Sequence, residues 1–187
     1  MRKSIWIVAL ALTVILAPTA LKAGDITYAV DETVGPAGSV TGSITTNGTI
    51  GVLDGSDIVD WNLILNDGSN PTFDLLGSNS EEEVIGDDLS ASATQLLFNF
   101  SSIYTDQLLF ENSIIGDSGP FLCYGEFCGL PGVSLTAVGG EDKTLNTDLS
   151  GTVVIAGATA TPEPSSLLLL GTGLVGLAGT LRRKFAR

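Results

Sequence analysis

"DIVDWNLILN", Asp57–Asn66, is the stretch whose reading decides the fold class. Val59, Trp61, Leu63 and Leu65 recur at every second position, with Asp60, Asn62 and Ile64 between them. Side chains of an extended strand alternate between two faces, so this spacing places those four residues on one apolar face. The same period appears in "LSASAT", where Leu89, Ala91 and Ala93 alternate with Ser90, Ser92 and Thr94. Beyond Gln95 the apolar set becomes Leu96, Phe98 and Phe100, a slip of one residue that a β-bulge near Gln95 would produce.

Further strands are read at "ITYAV", "SVTGSITT", "TIGVL", "TFDLL", "DQLLFE", "VSLTAVG" and "SGTVVIAG". Turn chemistry punctuates them. Asn47-Gly48 sits between two Thr/Ile-rich runs and reads as a hairpin turn. Asp67-Gly68 reads as a second turn, with a longer loop because Pro71 follows, and Asp54-Gly55 as a third. No segment of the middle has a helical period, although "SNSEEEVIGDDLS" has room for one turn. Short strands at this spacing predict an all-β protein, an antiparallel β-sandwich.

The two ends have a different composition. The chain has 187 residues, with 8 Lys+Arg, 21 Asp+Glu, no His and a net charge of −13. Lys143 is the only basic residue between Lys22 and Arg182, and all 21 acids lie between the same limits. Residues 1–23 read as a secretory signal peptide: Arg2 and Lys3, then the apolar "IWIVALALTVILA", then small residues leading to cleavage after Ala23 by signal peptidase. That apolar core is short of the ~20 residues a spanning helix needs.

Residues 24–161 then form the acidic β-sandwich domain, and residues 162–187 a separate tail. In the tail, Leu167–Leu181 is an apolar run predicted to form a short transmembrane helix. At 1.5 Å per residue it reaches roughly 22 Å, less than the ~30 Å hydrocarbon core, so the arginines beyond it would snorkel to the interface. Arg182, Arg183, Lys184 and Arg187 form the basic stop that stays inside, and the signal peptide enters with the same orientation. The helix would anchor the chain transiently in the inner membrane while the middle is exported. Pro162 and Pro164 hold Glu163 extended just outside that membrane, in a form that a protease can bind.

Pro162-Glu163-Pro164, an apolar helix and a terminal Arg-rich cluster together resemble a PEP-CTERM sorting signal. The resemblance implies an exported bacterial protein, processed near the Pro-Glu-Pro by an exosortase-type protease and sorted to the cell envelope or its surroundings. It also implies a host that makes extracellular polysaccharide. It covers the tail alone and transfers an address, not an activity.

In an exported domain, Cys123 and Cys128 of "CYGEFC" are expected to close a local disulfide. Without His, the Ser-His-Asp and Cys-His arrangements and His-based zinc catalysis are excluded. With one lysine and no arginine, the middle cannot support phosphate chemistry and repels nucleic acid. No catalytic or cofactor-binding residue is assigned, and the protein is expected to be non-enzymatic, with a structural or adhesive role in an extracellular polysaccharide matrix.

A second reading is a Ca²⁺-dependent carbohydrate-binding module. It would use the loop acids Asp54, Asp57 and Asp60, with Asp67, Asp87 and Asp88, as oxygen ligands, and Tyr28, Tyr104 or Tyr124 as exposed sugar platforms. The competing reading of those acids is as turn formers and solvated faces, with Glu81-Glu82-Glu83 a solvated loop and Trp61 in the core. A carboxylate-type glycan hydrolase is the third reading, for which twenty acids leave no pair singled out.

Overall fold

The structure, a computed structural model, describes residues 24–101, 106–112, 119–125, 132–140, 144–147 and 149–159. Among them thirteen strands run β1 Ile26–Val34, β2 Gly38–Thr46, β3 Gly51–Val52, β4 Ile58–Asn66, β5 Phe73–Leu76, β6 Glu81–Ile85 and β7 Leu89–Ala91. The remainder are β8 Gln95–Asn99, β9 Gln107–Glu111, β10 Phe121–Gly125, β11 Val133–Thr136, β12 Thr144–Asn146 and β13 Thr152–Ala158. One 3₁₀ turn, Gly55–Asp57, precedes β4.

Two antiparallel sheets result. The larger has the order β3, β7, β8, β13, β1, β2, β4, β5, and the smaller β12, β11, β10, β9, β6. Alternation explains why they pack together. Tyr28, Val30 and Val34 of β1, Val40 and Ile44 of β2, and Trp61, Leu63 and Leu65 of β4 all turn to one side of the large sheet and are buried. Leu108 and Phe110 of β9, Leu122 and Tyr124 of β10, and Val133 and Leu135 of β11 do the same from the small sheet, and all belong to one core cluster. Ring contacts cross the seam: Trp61 lies 5.3 Å from Phe110, and Phe98 of β8 lies 6.2 Å from Tyr124. The all-β reading holds as two facing antiparallel sheets, a sandwich-like arrangement.

Several local readings change. Val59 does not share the face of Trp61, Leu63 and Leu65. The pairing runs Thr45 with Asp60 and then Thr46 with Ile58, so Val59 is the extra residue of a β-bulge. The bulge turns Ile58 inward and leaves Val59 47% exposed. Conversely, the slip near Gln95 is no bulge. β7 and β8 pair with each other, Leu89 with Phe98 and Ala91 with Leu96, so the chain reverses. Ser92 makes that reversal: its N–H donates to the Gln95 carbonyl at 2.8 Å, and its Oγ accepts from Gln95 N at 2.9 Å. The Ser92 carbonyl accepts the buried Tyr28 hydroxyl at 2.7 Å.

Asn47-Gly48 is not a hairpin turn either. The Asn47 side chain accepts from Thr49 N at 3.0 Å and sends the chain to β3, which pairs with β7 instead of β2. The chain returns through the 3₁₀ turn, where Asn47 N–H donates to the Asp57 carbonyl at 2.9 Å. Asp67-Gly68 does open a hairpin with a longer loop, between β4 and β5. The acidic triplet is neither helix nor loop: Glu81–Ile85 is edge strand β6, paired with β9. Acid-rich edge strands discourage further strand addition.

Gly42 lies in the middle of β2, opposite Leu63, with φ 136°. A Cβ there would run into the backbone carbonyl of Asn62. Gly42→Ala is therefore expected to cost about 2–4 kcal/mol, since left-handed strain and a backbone clash add. Urea unfolding followed by circular dichroism checks this, and an unchanged midpoint would refute the close approach of β2 and β4.

Candidate functional site

Four of the acids that the sequence offered as Ca²⁺ ligands, Asp54, Asp57, Asp60 and Asp67, accept hydrogen bonds from backbone N–H groups. Asp54 caps the 3₁₀ turn, accepting from Ser56 N at 2.8 Å and Ser56 Oγ at 2.6 Å. Asp57 reaches back to Asp54 N at 3.0 Å and accepts Asn47 Nδ2 at 2.9 Å. The two form a capping box, in which each carboxylate satisfies the other's end of the turn. The hydrogen bond from Asp54 N holds the Asp57 carboxyl below its ordinary value, against the opposing effect of burial.

Asp60 accepts from its neighbour, Trp61 N, at 2.9 Å. Asp88 accepts from Asn99 Nδ2 at 3.1 Å, beside a backbone bond from Asn99 N to its carbonyl. Asp87 is exposed. Among the described residues no group of three or more His, Cys, Asp or Glu is arranged to hold a metal ion.

Asp67 performs the most structural work of these. It is buried in the β4–β5 loop and accepts from Ser69 N at 2.9 Å, Asn70 N at 2.8 Å and Asn70 Nδ2 at 3.0 Å. A fourth donor, Ala137 N at 3.1 Å, comes from the end of β11 and ties the loop to the other sheet. Burial pushes this carboxyl up, but the four hydrogen bonds outweigh it and bring it down to about 2.

Two other carboxylates enter the seam between the sheets. Glu32 follows Tyr28 and Val30 on the inner face of β1, and the buried Tyr124 hydroxyl donates to its Oε2 at 2.8 Å. Burial raises the Glu32 carboxyl to about 7, only partly offset by the Tyr124 bond. From the opposite sheet, Glu82 of β6 stands across from Phe110. Its oxygens would be 3.1 and 3.3 Å from a Cβ on Gly55, so the carboxyl lies against the 3₁₀ turn. Burial, then the charges of Asp54 and Glu83, push it up to about 7. Glu83 itself accepts from Gln107 Nε2 at 2.6 Å.

Sequence reasoning passed over both residues. Glu32 was signalled by its place in the alternation Tyr28, Val30, Glu32, Val34, whereas the triplet around Glu82 imitates a solvated loop.

The aromatic readings divide. Trp61 is buried, and its Nε1 donates to Ser80 Oγ at 2.8 Å. Tyr28 and Tyr124 are fully buried, so neither offers a sugar platform, and Tyr104 lies outside the described residues. Cys123 is disulfide-bonded, while Cys128 lies outside the described residues. Ala23, Pro162, Glu163, Pro164, Arg182, Arg183, Lys184, Arg187 and the 167–181 segment also lie outside them. No helix among the described residues is long and apolar enough to cross a membrane.

The family model for the PEP-CTERM protein-sorting motif matches residues 160–184. The chain thus carries the sorting signal of an exported, envelope-associated protein that is processed by exosortase during export. No curated protein and no solved structure matches it.

The Asp67 carboxyl is ordinarily near 3.8 and sits at about 2 when folded. Its stabilising effect is therefore complete above about pH 4 and lost as pH falls toward 2. Asp67→Ala should cost about 2–3 kcal/mol at pH 7, because the loop and the Ala137 N–H both lose their acceptor. Parallel urea titrations at pH 7 and pH 2.5 check this: the gap between variant and parent should be wide at the first and clearly narrower at the second.

Proposed function

We propose that the chain is a non-enzymatic structural or adhesive protein of an extracellular polysaccharide matrix, delivered there through its C-terminal signal. The outer face of the large sheet is the observation that carries the reading. On β1 and β2 it presents Thr27, Thr33, Ser39, Thr41, Ser43 and Thr45 around Asp31, continued on β4 by Asn62 and Asn66 on either side of the exposed Ile64. Thr27 and Thr45 already pair through their hydroxyls at 2.9 Å. Hydroxyl and amide groups in rows set by the strand spacing suit many weak hydrogen bonds to a long, hydroxyl-rich chain. Such a surface favours adhesion through many contacts over capture of one small ligand in a deep site.

The backbone commitments of Asp54 and Asp57 support a matrix role that does not need Ca²⁺. Retention of the full-length chain, held in non-ionic detergent, on immobilised exopolysaccharide tests the proposal. Replacing Thr41 and Asn62 together by alanine should reduce retention several-fold with little change in the unfolding midpoint. Exchange of Ca²⁺ for Mg²⁺ at equal ionic strength should leave it unchanged. Retention that survives the double substitution would remove this face from the proposal, and retention that needs Ca²⁺ would favour the binding-module reading.

Sorting has its own test. In a host with an exosortase-type protease, Glu163→Ala should leave the basic tail attached, visible on immunoblots as a heavier, membrane-associated species. Normal processing of that variant would show that the Pro-Glu-Pro acid is not the recognition element.

A further inference from the structure

Glu32 and Glu82 are two inward-facing carboxyl groups that the matrix reading does not use. They come from opposite sheets. Glu32 reaches from β1 to the Tyr124 hydroxyl on β10, and Glu82 from β6 to the backbone of the 3₁₀ turn that leads into β4. A carboxylate placed in such a seam is stabilised by a cation or by several donors; otherwise it is more stable protonated.

Among the described residues no cation acts on either group. From β10, Tyr124 is the titratable group facing Glu32, and the β2 residue paired with Glu32 is Val40. The charges that act on Glu82 are those of Asp54 from the turn and of its chain neighbour Glu83, both acidic, with Phe110 of β9 opposite. Each acid therefore meets burial and either a single hydroxyl donor or further negative charge. The geometry makes the protonated form the one that fits.

We propose that these two groups form a proton-operated clasp across the sandwich, so that the exported domain is held tightest in mildly acidic surroundings and loosens along the seam when they turn alkaline. The ordinary glutamate value is 4.5, and in the folded protein both carboxyls stand at about 7. For an acid whose folded value is raised, stability is greatest below the unfolded value. It declines as pH rises toward the folded value and stays low beyond it. The window is thus pH 4.5 to 7, opposite in sign to the effect of Asp67. Because the chain is exported, the pH that operates the clasp is that of the outside medium.

Carboxyl-carbon NMR titration of the full-length chain in non-ionic detergent, with urea midpoints at pH 5 and pH 8, tests this. Two glutamate carboxyls should titrate near pH 7, and the urea midpoint should rise as pH falls from 8 to 5. Glu32→Gln should raise the pH 8 midpoint toward its pH 5 value while leaving the pH 5 midpoint unchanged, and Glu82→Gln should act alike. Tyr124→Phe should move the Glu32 titration higher still, a response that a merely structural tyrosine would not give. Glutamates that all titrate near 4.5, a midpoint that does not change between pH 8 and 5, or Glu32→Gln lowering stability equally at both pH values would each overturn the clasp. If Glu32→Gln does not fold, titration of the unaltered chain decides.

Discussion

Neither sheet can bury its own inner face, and the contact between the two is the constraint on which the rest of the structure depends. Trp61 against Phe110 and Phe98 against Tyr124 bring large rings from opposite sheets into tilted contact. Aromatic pairs of this kind add about 0.5–1.5 kcal/mol beyond the area they bury. Once these rings meet, the inward set of every neighbouring strand is fixed. A one-residue slip would turn Leu63, Leu65, Leu108 and Leu122 out to water. The bulge at Val59 is how β4 obeys the constraint: it discards one residue so that both Ile58 and Trp61 face inward.

The polar groups of the domain are arranged around that seam. Asp67 crosses the boundary between sheets by accepting Ala137 N, and Thr144 Oγ1 donates across it to the Val34 carbonyl at 3.3 Å. Asp54 and Asp57 hold the excursion between β2 and β4 in place. An acidic composition can suggest ion binding when it is read as a total. In the fold, most of the loop acids act as acceptors for the nearest backbone N–H groups, which turn backbones must satisfy somewhere. Glu32 and Glu82 differ because the seam supplies them with few donors.

Much of this was legible in particular residues. The alternation of Trp61, Leu63 and Leu65 identified an inward face, and Asp67-Gly68 before Pro71 identified a hairpin with a long loop. Other signals were genuine but ambiguous. The phase change at Gln95 is produced equally by a bulge and by a tight reversal, and only the partner of each strand tells them apart. Asn47-Gly48 favours a left-handed turn wherever the chain goes next, so its chemistry did not predict that β3 would join β7 on the far edge of the sheet. β10 and β12 carried too little alternation to be read, and β6 was hidden by its charge.

By itself the sequence determined the all-β class, the burial of Trp61, the excess of acid and the PEP-CTERM tail, because each is written in local period, composition or a short motif. The tertiary structure alone decided strand order, the bulge at Val59, the burial of Tyr28 and Tyr124, and the placement of Glu32 and Glu82 against the opposite sheet. The physical reason is range. Alternation and turn chemistry act between residues a few positions apart. Tyr124 meets Glu32 across 92 positions of sequence, a contact created only when two separate sheets close on each other.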